Sequence, residues 1–182
     1  MNIDASQYTR IVEAAFRGAG TTERVATPVE QTEGAAYREP GIELRETYTP
    51  QALLAGEAEL VIAIAQLAIA ADRVDDPDEQ RLFQEIAAHV YRHANVETTA
   101  PTLAPVTDDE QRIDHLRSHA AQLAGKPSAS LAFALAYALV ISDMDIAPEE
   151  GLMLETLREA LGLDEDRAND LSSAVGMAVT PE

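Results

Sequence analysis

Two stretches of the chain share one pattern of apolar and polar positions. The clearer is 131–163, LAFALAYALVISDMDIAPEEGLMLETLREALGL: an apolar run, a short acidic corner, then apolar residues at helical spacing. The fainter is 60–90, LVIAIAQLAIAADRVDDPDEQRLFQEIAAHV. A shift of 71 residues superimposes them, with identities at Leu60/Leu131, Ala63/Ala134, Ala65/Ala136, Asp72/Asp143, Pro77/Pro148 and Glu79/Glu150. Apolar pairs continue the match at Ile64/Leu135, Ile69/Val140, Phe83/Leu154, Ile86/Leu157 and Val90/Leu161. An internal repeat of this kind predicts two related helical hairpins.

The remaining pattern predicts seven helices and no convincing strand. Asp4 caps the first, with Gln7 at the capping-box position, Tyr8, Ile11, Val12, Ala15, Phe16 and Ala19 on one face, and Gly20 at its stop. The second starts at Thr49-Pro50 and runs to about Ala71, apolar almost all round. The third starts at Asp76-Pro77 and turns Leu82, Phe83, Ile86, Val90 and Ala94 inward. Asp108 or Thr107 caps the fourth, whose stripe is Ile113, Leu116, Ala120 and Leu123. Ser128 opens the fifth, again apolar all round. The sixth follows Pro148 with Leu152, Met153, Leu154, Leu157 and Leu161, and Gly162 stops it. Asp164 caps the seventh, with Ala168, Leu171 and Val175 inward. The fold class is therefore all-α: about seven helices in a pseudo-two-fold bundle, with the second and fifth crossing at its centre. Residues 1–20 form a helix that packs on the bundle, and 50–179 form the helical domain proper. Between them, 21–49 is rich in Thr, Glu, Pro and Gly and reads as a long loop, either functional or partly disordered, in which Ile42, Leu44 and Tyr48 could dock as a short extended piece.

Composition narrows the chemistry. Apolar residues make up 46% of 182, but only 4% are aromatic, a mix that favours close-packed helices. No cysteine is present, which excludes disulfides, thiolate metal sites and cysteine nucleophiles. The formal charge is −19, which disfavours direct binding to nucleic acid or anionic lipid. A divalent cation or a basic protein is the partner this charge suits, while solubility alone is the plainer explanation. The N-terminus carries no signal-peptide pattern, and 52–71 contains Glu57, Glu59 and Gln66, so it reads as a buried helix rather than a membrane span. A cytoplasmic protein is expected. No phosphate-binding, dinucleotide-binding or nucleophile-elbow motif occurs, so the expectation is a protein without catalytic activity.

At the two corners the chain resembles the TerB-like (tellurite resistance) family, whose motif is an apolar helix, Asp-Gly-x-Ile-x-x-Glu-Glu, then an amphipathic helix. Asp143-Met144-Asp145-Ile146-Ala147-Pro148-Glu149-Glu150 keeps the Asp, the Ile and both Glu, with Met144 in place of Gly. Asp72-Arg73-Val74-Asp75-Asp76-Pro77-Asp78-Glu79 keeps the first Asp and the final acids. The resemblance covers roughly 52–178. It implies a seven-helix fold, a non-catalytic stress-response role linked to tellurite resistance, divalent-cation binding at the acidic corners, and complexes reached at the membrane through partners.

The candidate metal ligands are Asp72, Asp75, Asp143, Asp145, Glu79 and Glu150, a set of hard oxygens that suits Ca²⁺ or Mg²⁺. Most acids here are explained by helix capping, but Asp72 and Asp143 lie at helix C-termini, where negative charge is unfavourable. The corner is not an EF-hand: counting from Asp143, Pro148 and Leu154 stand where Gly and Glu are required. All four histidines fall in HxxxH pairs, His89/His93 and His115/His119. Residues four apart share a helix face, so Zn²⁺ at His89/His93 is a further expectation. The helical wheel puts His93 near the centre of its helix's apolar face and His89 on the flank, with His119 at the edge of its stripe and His115 pointing away. Two alternatives stand beside the cation-binding domain. One is an acidic interaction scaffold without metal; the other, more distant, is a His/carboxylate metalloenzyme.

Overall fold

A computed structural model of the chain describes residues 5–28, 42–49, 53–70, 77–97, 108–142 and 146–179. The elements in order are α1 (Ala5–Ala19), β1 (Thr21–Pro28), β2 (Ile42–Thr49), α2 (Ala55–Ile69), α3 (Pro77–His93), α4 (Asp109–Leu123), α5 (Ser128–Val140), α6 (Pro148–Leu161) and α7 (Glu165–Val179). The seven helices predicted from periodicity are all present, packed as a bundle. Local chemistry sets several of their ends. Asp108 Oδ1 accepts the Glu110 N–H at 3.0 Å, and Asp164 Oδ1 accepts the Arg167 N–H at 2.7 Å. Gly162 closes α6 with φ 71°, a left-handed conformation that side chains resist.

Three expectations are corrected. Part of the supposed loop 21–49 is an antiparallel ribbon, in register from Thr21↔Thr49 to Pro28↔Ile42. Thr21, Thr22, Val25 and Thr27 face a partner strand containing Ile42, Thr47 and Tyr48, and such β-branched and aromatic residues suit a pleated strand. Secondly, α2 begins at Ala55 rather than at Pro50, which lies outside the described residues, as does Asp4. Thirdly, Leu152 is 66% exposed. It sits one residue, about 100° of helix rotation, off the seam made by Met153, Leu157 and Leu161.

The repeat survives in three dimensions. α2 and α5 end at Ile69 and Val140, and α3 and α6 start at Pro77 and Pro148, each pair 71 residues apart. Leu82/Met153, Phe83/Leu154, Ile86/Leu157 and Val90/Leu161 are buried in both copies. The unit also extends one helix further back than the sequence match. A shift of 104 residues lays α1 on α4, with Tyr8/Arg112, Val12/Leu116, Phe16/Ala120 and Ala19/Leu123 all buried. The packing obeys the same exchange: α1 lies against α3 and α5, and α4 against α6 and α2. The ribbon therefore occupies the α1–α2 connection, which the second unit makes with the short Gly125-Lys126-Pro127 turn.

The two-fold passes between α2 and α5, which pack on each other. α5 is almost wholly buried and α2 is buried along its inner face, and their alanines let helix backbones approach closely while Ile64, Leu67, Leu131, Leu135 and Leu139 fill the remaining space. α7 has no repeat partner and closes the bundle against α1 and α5. Its ends are tied down: Gln7 Nε2 donates to the Val179 carbonyl at 2.9 Å, and Arg167 Nη2 donates to the Gly18 carbonyl at 2.9 Å. Each bond supplies a donor to a carbonyl in the last turn of a helix, which the helix itself leaves unmatched.

Candidate functional site, the helix corners and the histidine pairs

Of the six predicted ligands, Asp72, Asp75, Asp143 and Asp145 lie outside the described residues. Glu79 and Glu150 are described, and they occupy the same place in the two units. Each is the third residue of its helix, behind the first-turn proline, and each is only 4% exposed. Burial of a glutamate side chain needs a cause, because desolvating a carboxylate is costly. For Glu150 the cause is visible: its Oε2 accepts the Ala147 N–H at 2.7 Å. This is half of a capping box, since Ala147 has no side-chain acceptor to complete it. Both glutamates belong to the hard-oxygen class that Ca²⁺ and Mg²⁺ prefer, so the described part of the donor set is chemically compatible with either ion. One oxygen of Glu150 is already committed to the backbone.

A side chain not singled out by the sequence pattern stands at the first corner. Arg112, on α4, is 4% exposed. Its Nη1 donates to the Ala70 carbonyl at the C-terminus of α2 at 2.8 Å and lies 2.9 Å from Asp109 Oδ1. A guanidinium at that end satisfies an orphan carbonyl and complements the negative end of the helix dipole. The available signal was spacing: Arg112 precedes Leu116 and Ala120 by four and eight residues, on the apolar stripe itself.

The histidines stay in two separate pairs. His89 and His93 lie 6.2 Å apart between ring centroids, and both face Phe16 of α1, His93 stacked on it at 4.5 Å and His89 tilted at 6.0 Å. The order of burial reverses the helical-wheel expectation: His89 is part-buried and His93 exposed, because α1 covers the seam from one side. His89 Nδ1 lies 3.5 Å from Glu85 Oε1, which also accepts from Thr9 Oγ1 at 3.3 Å. His115 and His119 are 6.4 Å apart on α4, which packs on α2 and α6 instead. Among the described residues no group of three or more His, Asp or Glu is placed to hold a metal ion. Zinc sites take at least three protein ligands, and the His89/His93 pair by itself supplies two.

His93 is open to water on one side, but desolvation where its ring stacks on Phe16 lowers its pKa, helped by the neighbouring His89 and Arg92; partial burial with His115 lowers that of His119. Both imidazoles are therefore harder to protonate in the folded chain than in the unfolded one. The unfolded chain binds more protons below an ordinary histidine value of about 6.5. Their contribution to stability is full above that value and is lost as the pH falls through it toward the lowered folded values. His119→Gln should flatten this part of the profile, measured as melting temperature between about pH 7.5 and pH 5.5. An unchanged slope in the variant would assign the acid sensitivity to carboxylates instead. Tyr8 is shifted the other way: burial raises its pKa, as does its hydrogen bond to Asp78 Oδ1 at 2.9 Å.

Among the described residues no helix is long and apolar enough to cross a membrane. No protein-family model, curated protein or solved structure matches the chain.

Proposed function

We propose that the chain is a non-catalytic, TerB-like stress-response module of the cytoplasm that binds a hard divalent cation at its inter-helix corners. The observation that carries this reading is the repeat of the helices that flank those corners, which buries Glu79 and Glu150 at equivalent positions. A cation would draw on these carboxylates together with Asp72 and Asp75 in one unit and Asp143 and Asp145 in the other. Relief of repulsion among the acids would couple binding to stability. The link to tellurite resistance, and to complexes assembled at the membrane through partners, follows from the resemblance of the corner motifs.

Arg112 favours a second reading. A buried guanidinium already serves the C-terminus of α2, so the first corner has its own cation, and the acidic surface would then serve to capture a basic protein. One experiment separates the two. Chelator-stripped protein is melted during separate titrations with Ca²⁺, Mg²⁺ and Zn²⁺ at constant ionic strength, beside Asp72→Asn/Asp143→Asn. The cation reading expects a saturable rise in melting temperature with Ca²⁺ or Mg²⁺ that the double variant loses. A rise with Zn²⁺ alone would transfer the site to the histidines. A flat response to all three rejects cation binding and leaves the acidic scaffold.

A further inference from the structure

The outer faces of α1 and α7 enclose an open groove of about 500 Å³. Its floor is Ala14 and Gly18 on one helix and Ala174 and Ala178 on the other. The helices approach closely at one end, where a Cβ on Gly18 would come within 3.3 Å of Ala174 Cβ. Met177 stands on the groove wall with 76% of its surface exposed. A flexible thioether in that position adapts readily to an apolar visitor. The bonds from Gln7 to Val179 and from Arg167 to Gly18 hold the two walls at both ends, so the groove is formed before anything enters it.

The chain as a whole is acidic, but the groove's rim carries more positive than negative charge. Arg10 and Arg17 line it, with Glu13 between them on the same helix. The three stand at spacings of three and four residues, where helical ion pairs are expected. None of them makes an ion pair among the described residues. Two uncommitted guanidiniums, in a chain with 13 bases against 32 acids, therefore flank an apolar trough. Arg10 and Arg17 are seven residues apart, about 10.5 Å along the axis. Acids seven residues apart on another helix have the same spacing.

We propose that the α1/α7 groove docks an amphipathic helix of a partner protein, which buries an apolar stripe on the alanine floor and pairs two acids, two turns apart, with Arg10 and Arg17. The two-helix trough suits a third helix lying in it, anchored at i, i+3, i+4 and i+7. A single-headed anionic amphiphile would use only one of the arginines. A second copy of the chain is disfavoured by the mutual repulsion of two bodies of charge −19. The groove is on the α1/α7 face and is independent of the helix corners.

The test uses the full chain and a synthetic helix of roughly 18 residues, with leucines at i, i+3, i+4 and i+7 and glutamates seven apart on its flank. Binding is read by calorimetry and by amide shifts in isotope-labelled protein. Saturable binding is expected, with the largest shifts on α1 and α7. Arg10→Glu/Arg17→Glu should weaken it by at least about tenfold and should gain affinity for the same peptide carrying lysines, a swap that misfolding cannot mimic. Met177→Ser should weaken both combinations. The proposal is overturned by equal binding of the glutamate and lysine peptides to the unaltered chain, by shifts confined to other helices, or by no binding. Self-association that protects the same amides without peptide would overturn it in favour of a second copy.

Discussion

Leu135→Ala and Ile64→Ala are each expected to destabilise the protein by about 2–5 kcal/mol, the range for truncating a buried aliphatic side chain. Both side chains are completely buried, on α5 and α2, and they are repeat mates at the middle of the two central helices. Truncation removes the transfer free energy of the lost carbons and leaves a cavity. The cavity cannot close easily here. Many neighbours along α2 and α5 are alanines, with no side-chain torsion through which to relax, and α5 is enclosed by α1, α2, α6 and α7. The loss should therefore fall in the upper part of the range at Leu135, and somewhat lower at Ile64, because α7 closes over α5 and, among the described residues, nothing equivalent covers α2. Leu152→Ala is the internal control, expected within about 0.5 kcal/mol of the unaltered protein because that leucine is already in water. Urea unfolding reads all three. A loss below about 1 kcal/mol at Leu135 would mean that α5 is not the centre of the bundle.

Arg112→Ala should cost about 2–4 kcal/mol, which is less than a fully buried ion pair would lose. The discount comes from Asp109, which is 53% exposed and therefore remains solvated when its partner goes. Two further parts make up the loss: the carbonyl of Ala70 loses its donor, and the methylene stem of Arg112 leaves a gap on the α4 stripe. Arg112→Met separates them. It restores the apolar stem but not the donor, so it should recover part of the stability and leave a deficit of about 1–3 kcal/mol. If a cation occupies the first corner, its stabilising effect should be larger in Arg112→Met than in the unaltered chain, since a fixed positive charge has been removed from beside the site. Melts with and without Ca²⁺ or Mg²⁺ check this. Equal cation responses in the two proteins would place any bound ion away from α2.

Helix ends show what could be read from the chain by itself. Asp108, Asp164 and Gly162 act within one turn of their own position, and local rules locate them correctly. The ribbon is the opposite case. Thr21 pairs with Thr49 and Pro28 with Ile42, so its stability depends on residues far apart in sequence, and only the second strand carries an alternation, at Ile42, Leu44 and Tyr48, which its partner strand does not share. Thr49-Pro50 looked like a helix start on chemistry alone, yet Thr49 is taken by the last pair of the ribbon and α2 waits until Ala55. At the candidate site the sequence singled out the acids through their repeat, and Glu79 and Glu150 are equivalent in space as that repeat required. Which of their neighbours shares the corner is a question of how α4 lies on α2, and no local pattern contains Arg112's contact with Ala70.

The amino-acid sequence by itself determined the all-α class, the seven helices, the repeat and the two central apolar helices, because periodicity of 3.6 and end chemistry are properties of short segments. Only the tertiary structure decided that the repeating unit has three helices rather than two, that the ribbon interrupts the first of them, and that α1 and α7 leave a groove edged by Arg10 and Arg17. It also decided that Leu152 faces water while Arg112 does not. A residue's own hydrophobicity states a preference for burial. Its actual burial is set by which helix arrives on that face, and that is a property of the assembled fold.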